Sequence, residues 1–545
     1  MLHSSFSSSL SRWMLLLLIA ALMLPVLAVL ASWLPVGDSG ALAATILQEM
    51  ASTVLPDYVG TTLLLCFLVT VGVSLVGLST AVAVTLLEFP GRRVFEWALL
   101  LPLAMPAYVV AYAYTDFLQF GGPLQTGLRS ALGAQGRMFP EVRNVAGAAW
   151  VFTFTLYPYV YLLARTALGE RTVHLMEAAR LMGAPIGRRM REVALPLARP
   201  AVAAGVALAL METLADFGVS SYFGIQTFTA GIYKAWLTMD NRIAAAQLAT
   251  LLLVLVAILL GLERRAQYRM RFAVTKGARS GSTDAQAVAL NGRQRGVVWL
   301  VCSVPILMGF VLPVLFMLRP LTTDWATLPW SRFGEWALNS VRLGAVTAAL
   351  AVGVGLVLAF SVRRSSHWAA RTAVQLASLG YAIPGAVVVV GLLLPVGWLQ
   401  AWAPDWQVGY WVTATAVGIV WAYLVRFCAV ALQALQSGYA RLSVSLDESA
   451  SMLGASGLQT LVRVHWPLLR RSVAVAGLLV FVDVMKELPA TLVLRPFNSD
   501  TLAVVAYQLA RDERLGEAAL PCLALVLVGL IPVMLLSRTL RVADR

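Results

Sequence analysis

Four cysteines, four histidines and three lysines are scattered through 545 residues, and charged side chains make up only 12% of the chain. Cys66, Cys302, Cys428 and Cys522 stand singly within apolar runs, with no CxxC pair among them. That spacing excludes a disulfide framework and a zinc knuckle. His3, His174, His367 and His465 all lie outside the apolar runs, so no soft-ligand relay for copper or zinc threads through them. A phosphate-cradling P-loop needs Gly-Lys followed by Ser or Thr. Lys234 precedes Ala, Lys276 precedes Gly and Lys486 precedes Glu, so the chain holds no such loop. Soluble globular proteins carry about 25% charged residues, and the shortfall here excludes that class.

Apolar sequence fills the gap: 59% of the residues are hydrophobic. A spanning helix takes about 20 of them in a row. Twelve stretches qualify, at 13–34, 60–86, 95–116, 145–164, 200–221, 243–262, 297–318, 343–362, 372–398, 411–435, 472–494 and 516–537. The expected fold is therefore an all-α integral membrane protein of about 12 transmembrane helices. The first stretch could be a cleaved signal peptide ending near Ala28 to Ala31, but its apolar run exceeds the usual 7 to 15 residues, which favours an uncleaved anchor.

Sidedness follows from Lys and Arg, which resist translocation. With the amino terminus inside, 28 of the 41 basic residues fall in the inner segments and 11 in the outer loops, with Arg426 and Lys486 inside spans. Both termini are expected in the cytoplasm. The formal net charge of +14 then reads as a topology signal, and no nucleic-acid partner is expected; membrane lipid is.

The densest basic stretch, 263–296, carries the Gly and Ser of a linker and separates six spans from six. The expected organisation is a first transmembrane half at 1–262, a cytoplasmic basic linker at 263–296 and a second half at 297–545. An even number of crossings before the linker makes the halves parallel repeats about an axis along the membrane normal. At an offset of 271 residues, EAARLMGAPIGRRMREVALPLAR from Glu177 aligns without a gap on ESASMLGASGLQTLVRVHWPLLR from Glu448. Glu177 matches Glu448, Ala179 matches Ala450, Gly183 matches Gly454, Pro196 matches Pro467 and Arg199 matches Arg470; Arg92 and Arg93 match Arg363 and Arg364. The patches MPAYVV at Met105 and IPGAVV at Ile383 are related at an offset of 278.

Each repeated segment is the fourth connection of its half. From Val173 the apolar residues have helical spacing, Gly183 supplies a stop where φ can be positive, and Pro185 suits the start of a second short helix. A single such loop would read as a surface anchor. Two copies suggest equivalent docking sites for a partner with twofold symmetry. Glu-Ala-Ala, Gly six residues after the Glu, and Leu-Pro thirteen after the Gly resemble the EAA loop of the membrane subunits of bacterial ABC importers. The second copy departs from it, with ESA for EAA and Trp466 where the first has Leu195. The resemblance implies a type I permease-like fold in the bacterial inner membrane. It also implies that Glu177, Ala178, Ala179, Gly183, Pro196, Glu448, Ala450, Gly454 and Pro467 are ATPase-coupling positions. Without a P-loop, ATP and its Mg would be used by a separate ABC ATPase subunit, present in two copies, and this chain would bind no cofactor and catalyse no reaction.

Ionisable residues inside spans are costly and are functional candidates. Glu212 and Asp216 are four apart on one helical face, as are Asp483 and Glu487, and the 271 offset maps one pair onto the other. Lys486 adds one positive charge to the second cluster. The four acids are expected to line a shared cavity that favours a cation, or else to form interhelical ion pairs with Arg165 and Arg426 and never meet cargo. Carboxylates and tyrosines are hard oxygen donors, suited to a ferric ion, though no metal site is certain. ALMETLADFGVSSYFGIQTFTAGIYKAW and FVDVMKELPATLVLRPFNSDTLAVVAYQLARDE are similar to the matching stretches of fused twelve-span permeases of ferric-iron ABC importers. That resemblance implies ferric iron handed over by a periplasmic binding protein. Permeases for thiamine or phosphonate share many of these features. A secondary transporter also has twelve spans in two halves, but has no reason to duplicate the loops; a scaffold without transport would leave the symmetric acids unexplained.

Overall fold

The computed structural model describes residues 3–33, 39–133, 135–275, 288–323, 325–364 and 368–543. Apart from a two-residue parallel pairing of Leu87–Glu88 with Val288–Ala289, its regular structure is helical. The protein is all-α. Among the described residues nine helices are long and apolar enough to cross a membrane; Arg92–Ala104 and Ala107–Leu132, bent by 88°, make a tenth. Leu15–Ala31 is a shorter apolar helix. The expected eleventh span falls on Trp466–Lys486, where Arg470, Arg471, Asp483 and Lys486 dilute the apolar run.

Several expected spans are broken rather than continuous. At Pro106 and Pro384 the preceding helical turn stops, with the residue before the proline pushed out of the α region. Met105 has ψ 123° and Pro106 φ −59°, ψ 140°; Ile383 has ψ 119° and Pro384 φ −59°, ψ 141°. The two related patches thus make the same break. Two further breaks follow Leu195–Ala215 at Asp216 and Trp466–Lys486 at Glu487, both with extended ψ, of 134° and 123°. The basic stretch after Glu263 begins as helix: Arg242–Thr275 carries on through it, while 276–287 lie outside the described residues.

The chain forms two compact units that do not follow the two sequence halves. Unit I holds Ala51–Gly231, Val254–Pro329 and Ala506–Arg545. Its centre is three helices, Leu55–Leu86, Val145–Ala167 and Leu195–Ala215, each packed on the other two. The first helices of the second half join it: Gly292–Ile306 lies on Leu55–Leu86, and Leu312–Thr323 packs on Ala107–Leu118 and Leu515–Ala543. Phe117 and Phe316 stack at 3.9 Å, and the Tyr114 hydroxyl donates to the Met308 carbonyl at 2.7 Å.

Unit II holds Met1–Met50, Ile232–Leu253 and Trp330–Val505. Its central helices are Trp330–Arg364, Val417–Tyr439 and Trp466–Lys486. The last two begin and end 271 residues after Val145–Ala167 and Leu195–Ala215, apart from one residue at each end of the Val417 helix. The His3–Ala31 helix packs on Trp368–Leu379 and Gly385–Trp402. A Cβ at Gly391 would stand 2.1 Å from the Pro25 carbonyl oxygen, so only glycine admits this approach. Each unit therefore takes the N-terminal helix of the other half. An apolar helix is equally soluble in lipid anywhere, and close packing decides where it settles.

Candidate functional site

The two repeated loops fold alike. In unit I the helix Val173–Leu181 ends at Gly183, φ +81°, and Ile186–Arg189 follows with Pro185 at its N-cap. The Ala184 N–H donates to the Ala179 carbonyl at 3.0 Å and the Gly183 N–H to that of Arg180 at 2.9 Å, a Schellman closure that needs a left-handed residue. In unit II Ser445–Met452 ends at Gly454, φ +76°, with the same two bonds, Ala455 to Ala450 at 3.0 Å and Gly454 to Ser451 at 3.0 Å. Ser456 and Gln459 form a capping box where the first loop has Pro185. A π-helical turn then leads each loop into its membrane helix, whose second residue is Pro196 or Pro467.

Glu177, Ala178 and Glu448 are exposed, while Ala179 and Ala450 are buried beneath them. Small residues at those two positions let the loop helix lie close to the body. Sequence spacing did not reveal the tips. Leu181 and Met182 are 85% and 81% exposed, and their counterparts Met452 and Leu453 are 89% and 88% exposed. Each loop thus presents two large apolar side chains near an exposed carboxylate.

The loops are seated differently. In unit I buried Met176 and Ala179 do the packing, and the buried Arg189 guanidinium reaches the Met176 carbonyl at 3.4 Å. In unit II Arg363 Nε meets Asp447 Oδ2 at 2.6 Å, and its Nη1 and Nη2 donate to the carbonyls of Tyr439, Leu442 and Ser443. Asp447 Oδ1 lies 2.5 Å from His465 Nε2, and Tyr439 packs edge-on against that ring. At the 271 offset Asp447 and His465 correspond to Met176 and Ala194, so this polar clasp exists once.

Asp216 and Glu487 occupy the equivalent helix breaks. Asp216 Oδ2 accepts from the N–H groups of Val219 at 2.9 Å and Ser220 at 3.4 Å, capping the short helix Gly218–Tyr222. Glu487 caps Pro489–Leu494 by accepting from Ala490 and Thr491 at 2.9 and 3.0 Å and from the Thr491 hydroxyl at 2.7 Å. Arg426 Nη1 donates to Glu487 Oε1 at 2.8 Å, and both side chains are buried. The position equivalent to Arg426 is Thr155, whose hydroxyl bonds back to its own helix at Val151. Arg165, the other expected partner, meets Glu96 at 3.4 Å. Glu212, Asp483 and Lys486 are half-buried on their helices.

Aromatic hydroxyls gather near Asp216 within unit I. Tyr112 packs edge-on against Tyr222 at 4.7 Å, Tyr507 bonds Ser221 at 2.8 Å, and Phe217 packs on Tyr507. The Tyr112 hydroxyl is buried with no hydrogen-bond partner among the described residues. No group of three or more His, Cys, Asp or Glu is placed to hold a metal ion among the described residues. A cation here would meet one or two carboxylates and neutral oxygens at a time.

Residues 74–272 match the family described as the binding-protein-dependent transport system inner membrane component. The chain is 25% identical over 490 residues, 88% of its own length and 90% of the relative, to the Fe(3+)-transport system permease protein FbpB 2 of Haemophilus influenzae. It is 24% identical over 76% of its length and 61% of the relative to the ferric transport system permease protein FbpB of Actinobacillus pleuropneumoniae. A shorter match, 30% identical over 29% of this chain and 54% of the relative, is the sulfate transport system permease protein CysT of Salmonella typhimurium.

Proposed function

We propose that the chain is an inner-membrane permease of binding-protein-dependent import and that its cargo is ferric iron, delivered by a periplasmic binding protein. Similarity along nine-tenths of a Fe(3+)-transport permease supports this cargo. So does the sign of the charge inside the spans, because carboxylates in a low-dielectric bundle favour a cation over an anion such as sulfate or phosphonate.

We assign energy input to two copies of an ABC ATPase subunit, one on each repeated loop. The observation that carries this reading is the pair of loops with one fold, each exposing a glutamate beside two apolar tips. Closure of the ATPases around ATP and Mg would pull on both loops at once. Each loop runs through a π-turn into a membrane helix that ends at an intramembrane acid, so a displacement outside is carried to the break inside. Both termini and both loops are assigned to the cytoplasmic side, as the excess of basic residues there requires.

Within the membrane the two acid clusters take different parts. Glu487 is neutralised by Arg426 and spent on capping, so it holds the fold. Glu212 and Asp216, with hydroxyls nearby and threonine where the other half has arginine, are the cargo-facing pair. Asp483 and Lys486 carry opposite charges three residues apart on the helix that ends at Glu487. Reconstituted permease with its ATPase and binding protein should import radiolabelled ferric iron, undiminished by excess thiamine, phosphonate or sulfate. E212Q/D216N should cut that import at least tenfold while ATPase subunits still co-purify. Full import by the double variant would overturn the path assignment, and competition by another solute would overturn the cargo. Import that needs no ATPase subunit would make the chain a secondary transporter.

A further inference from the structure

A cleft of about 930 Å³ opens in unit I between Leu55–Leu86, Leu195–Ala215 and the second half of Arg242–Thr275. Its walls are apolar over most of their length, with Val206, Leu210 and Leu259 among them and the Ser74 hydroxyl part-way along. No acidic side chain lines it. At one end stand Arg199 and Arg265, both exposed, and neither guanidinium makes an ion pair or hydrogen bond among the described residues.

We propose that this cleft is a binding site for one anionic phospholipid of the cytoplasmic leaflet, its phosphate between Arg199 and Arg265 and an acyl chain along Val206 and Leu210. Depth supports that occupant. From Leu195 to Leu210 the helix rises about 22 Å, enough to cover the inner half of a hydrocarbon core about 30 Å thick. Arg199 lies one turn beyond the start of its membrane helix and Arg265 at the end of an apolar span, so both guanidiniums sit at headgroup level on the face that carries the first loop. A basic pocket between membrane helices on the cytoplasmic side suits an acidic headgroup. The surroundings at that depth are lipid, so an apolar slot with a cationic mouth has lipid as its commonest visitor and charge as its selector.

The site has a consequence for the first loop. Arg199 is the fifth residue of the helix that the loop drives, so a phosphate bound there ties the drive helix to the tail of Arg242–Thr275. Its counterpart at the 271 offset, Arg470, has leucine at position 536 where Arg265 would correspond. The lipid site is therefore a feature of one half.

The test uses the full chain, purified in mild detergent and delipidated, then exposed to mixed micelles of phosphatidylglycerol or phosphatidylcholine. Retained lipid is counted by mass spectrometry and thermal unfolding is followed in parallel. Wild type should retain phosphatidylglycerol at about one per chain and gain thermal stability from it, and phosphatidylcholine should do neither. At about 1 kcal/mol per basic residue near an anionic surface, R199Q/R265Q should weaken retention about 30-fold. R199K/R265K, which keeps the charge, should hold most of the lipid, and V206W, which fills the slot but leaves the arginines, should lose it. R264Q, a neighbour outside the cleft, should behave as wild type. Equal retention of the two lipids, unchanged retention in R199Q/R265Q, or loss in R199K/R265K would overturn the proposal. Unchanged retention with lost import would give the cleft to the cargo route instead.

Discussion

Arg426 donates to Glu487 at 2.8 Å deep in unit II, whereas threonine stands at the equivalent of Arg426 in the other repeat. The duplicated acid is thus one group with two fates: a buried ion pair that closes a helix break, and a carboxylate at the same break held by backbone amides and given no arginine from that position.

Breaking the pair has a different cost from removing it. R426M leaves Glu487 charged and buried, which costs about 3–5 kcal/mol, whereas replacing both members by apolar groups of similar volume is close to neutral. R426M should therefore lower the thermal midpoint sharply in detergent, and R426M/E487M should recover most of it. Equal destabilisation by the single and double changes would mean that the capping bonds of Glu487, not its charge, dominate.

The exposed tips predict where an ATPase subunit is lost. L181S/M182S and M452S/L453S each remove two large apolar side chains that touch little in their own chain, so stability should shift by less than about 0.5 kcal/mol. Co-purification of the ATPase should drop to about one copy with either pair changed and to none with both. Retention of two copies in the fourfold variant would show that Glu177 and Glu448 alone carry docking.

Much of this architecture was legible because repeats leave a second copy of every rule. Glu, Gly and Pro at one offset marked the loops, and the positive φ at Gly183 and Gly454 is what that Gly was for. Hydropathy gave lengths but not continuity: 95–116 and 372–398 read as unbroken spans, and the structure stops both at proline, because an apolar average takes no account of a missing N–H. Hydropathy also cannot name a helix's neighbour. Nothing in the 13–34 stretch says that it packs on helices of the other half, a choice made by shape at places such as Pro25 and Gly391. Arg426 was a candidate partner from its charge alone, while Arg165, chosen on the same ground, pairs with Glu96, 69 residues earlier in the chain. The Arg363–Asp447–His465 clasp left no trace in the repeat, since two of its three members lack polar counterparts.

That one-sided clasp predicts unequal loops. D447N removes the charge that Arg363 and His465 share, leaving a half-buried guanidinium with carbonyl partners only. M176A in the other loop removes apolar packing instead. Hydrogen exchange of the intact complex should show the Ser445–Met452 helix loosened by D447N while Val173–Leu181 is unchanged, and the reverse for M176A. Transmission of one change to both helices would mean that the loops are seated as a single body.

Acid should reveal the contact at the opposite side of unit I. Arg143 grips Glu513 through two hydrogen bonds of 2.7 and 2.9 Å, and these bonds, with the Arg143 charge, hold the Glu513 carboxyl below its usual value. A depressed carboxylate contributes stability that is complete above the unfolded value, about 4.3, and is lost as pH falls through the lower folded value. The pair is solvent-exposed, so the contribution is no more than about 1 kcal/mol and shrinks with salt. Thermal midpoints measured in low salt should put wild type above E513Q at pH 6, with the gap unchanged down to about pH 5 and shrinking as the pH is lowered further through the depressed folded value. A gap that acid does not shrink at all would show that Glu513 acts through packing and not through its charge on Arg143.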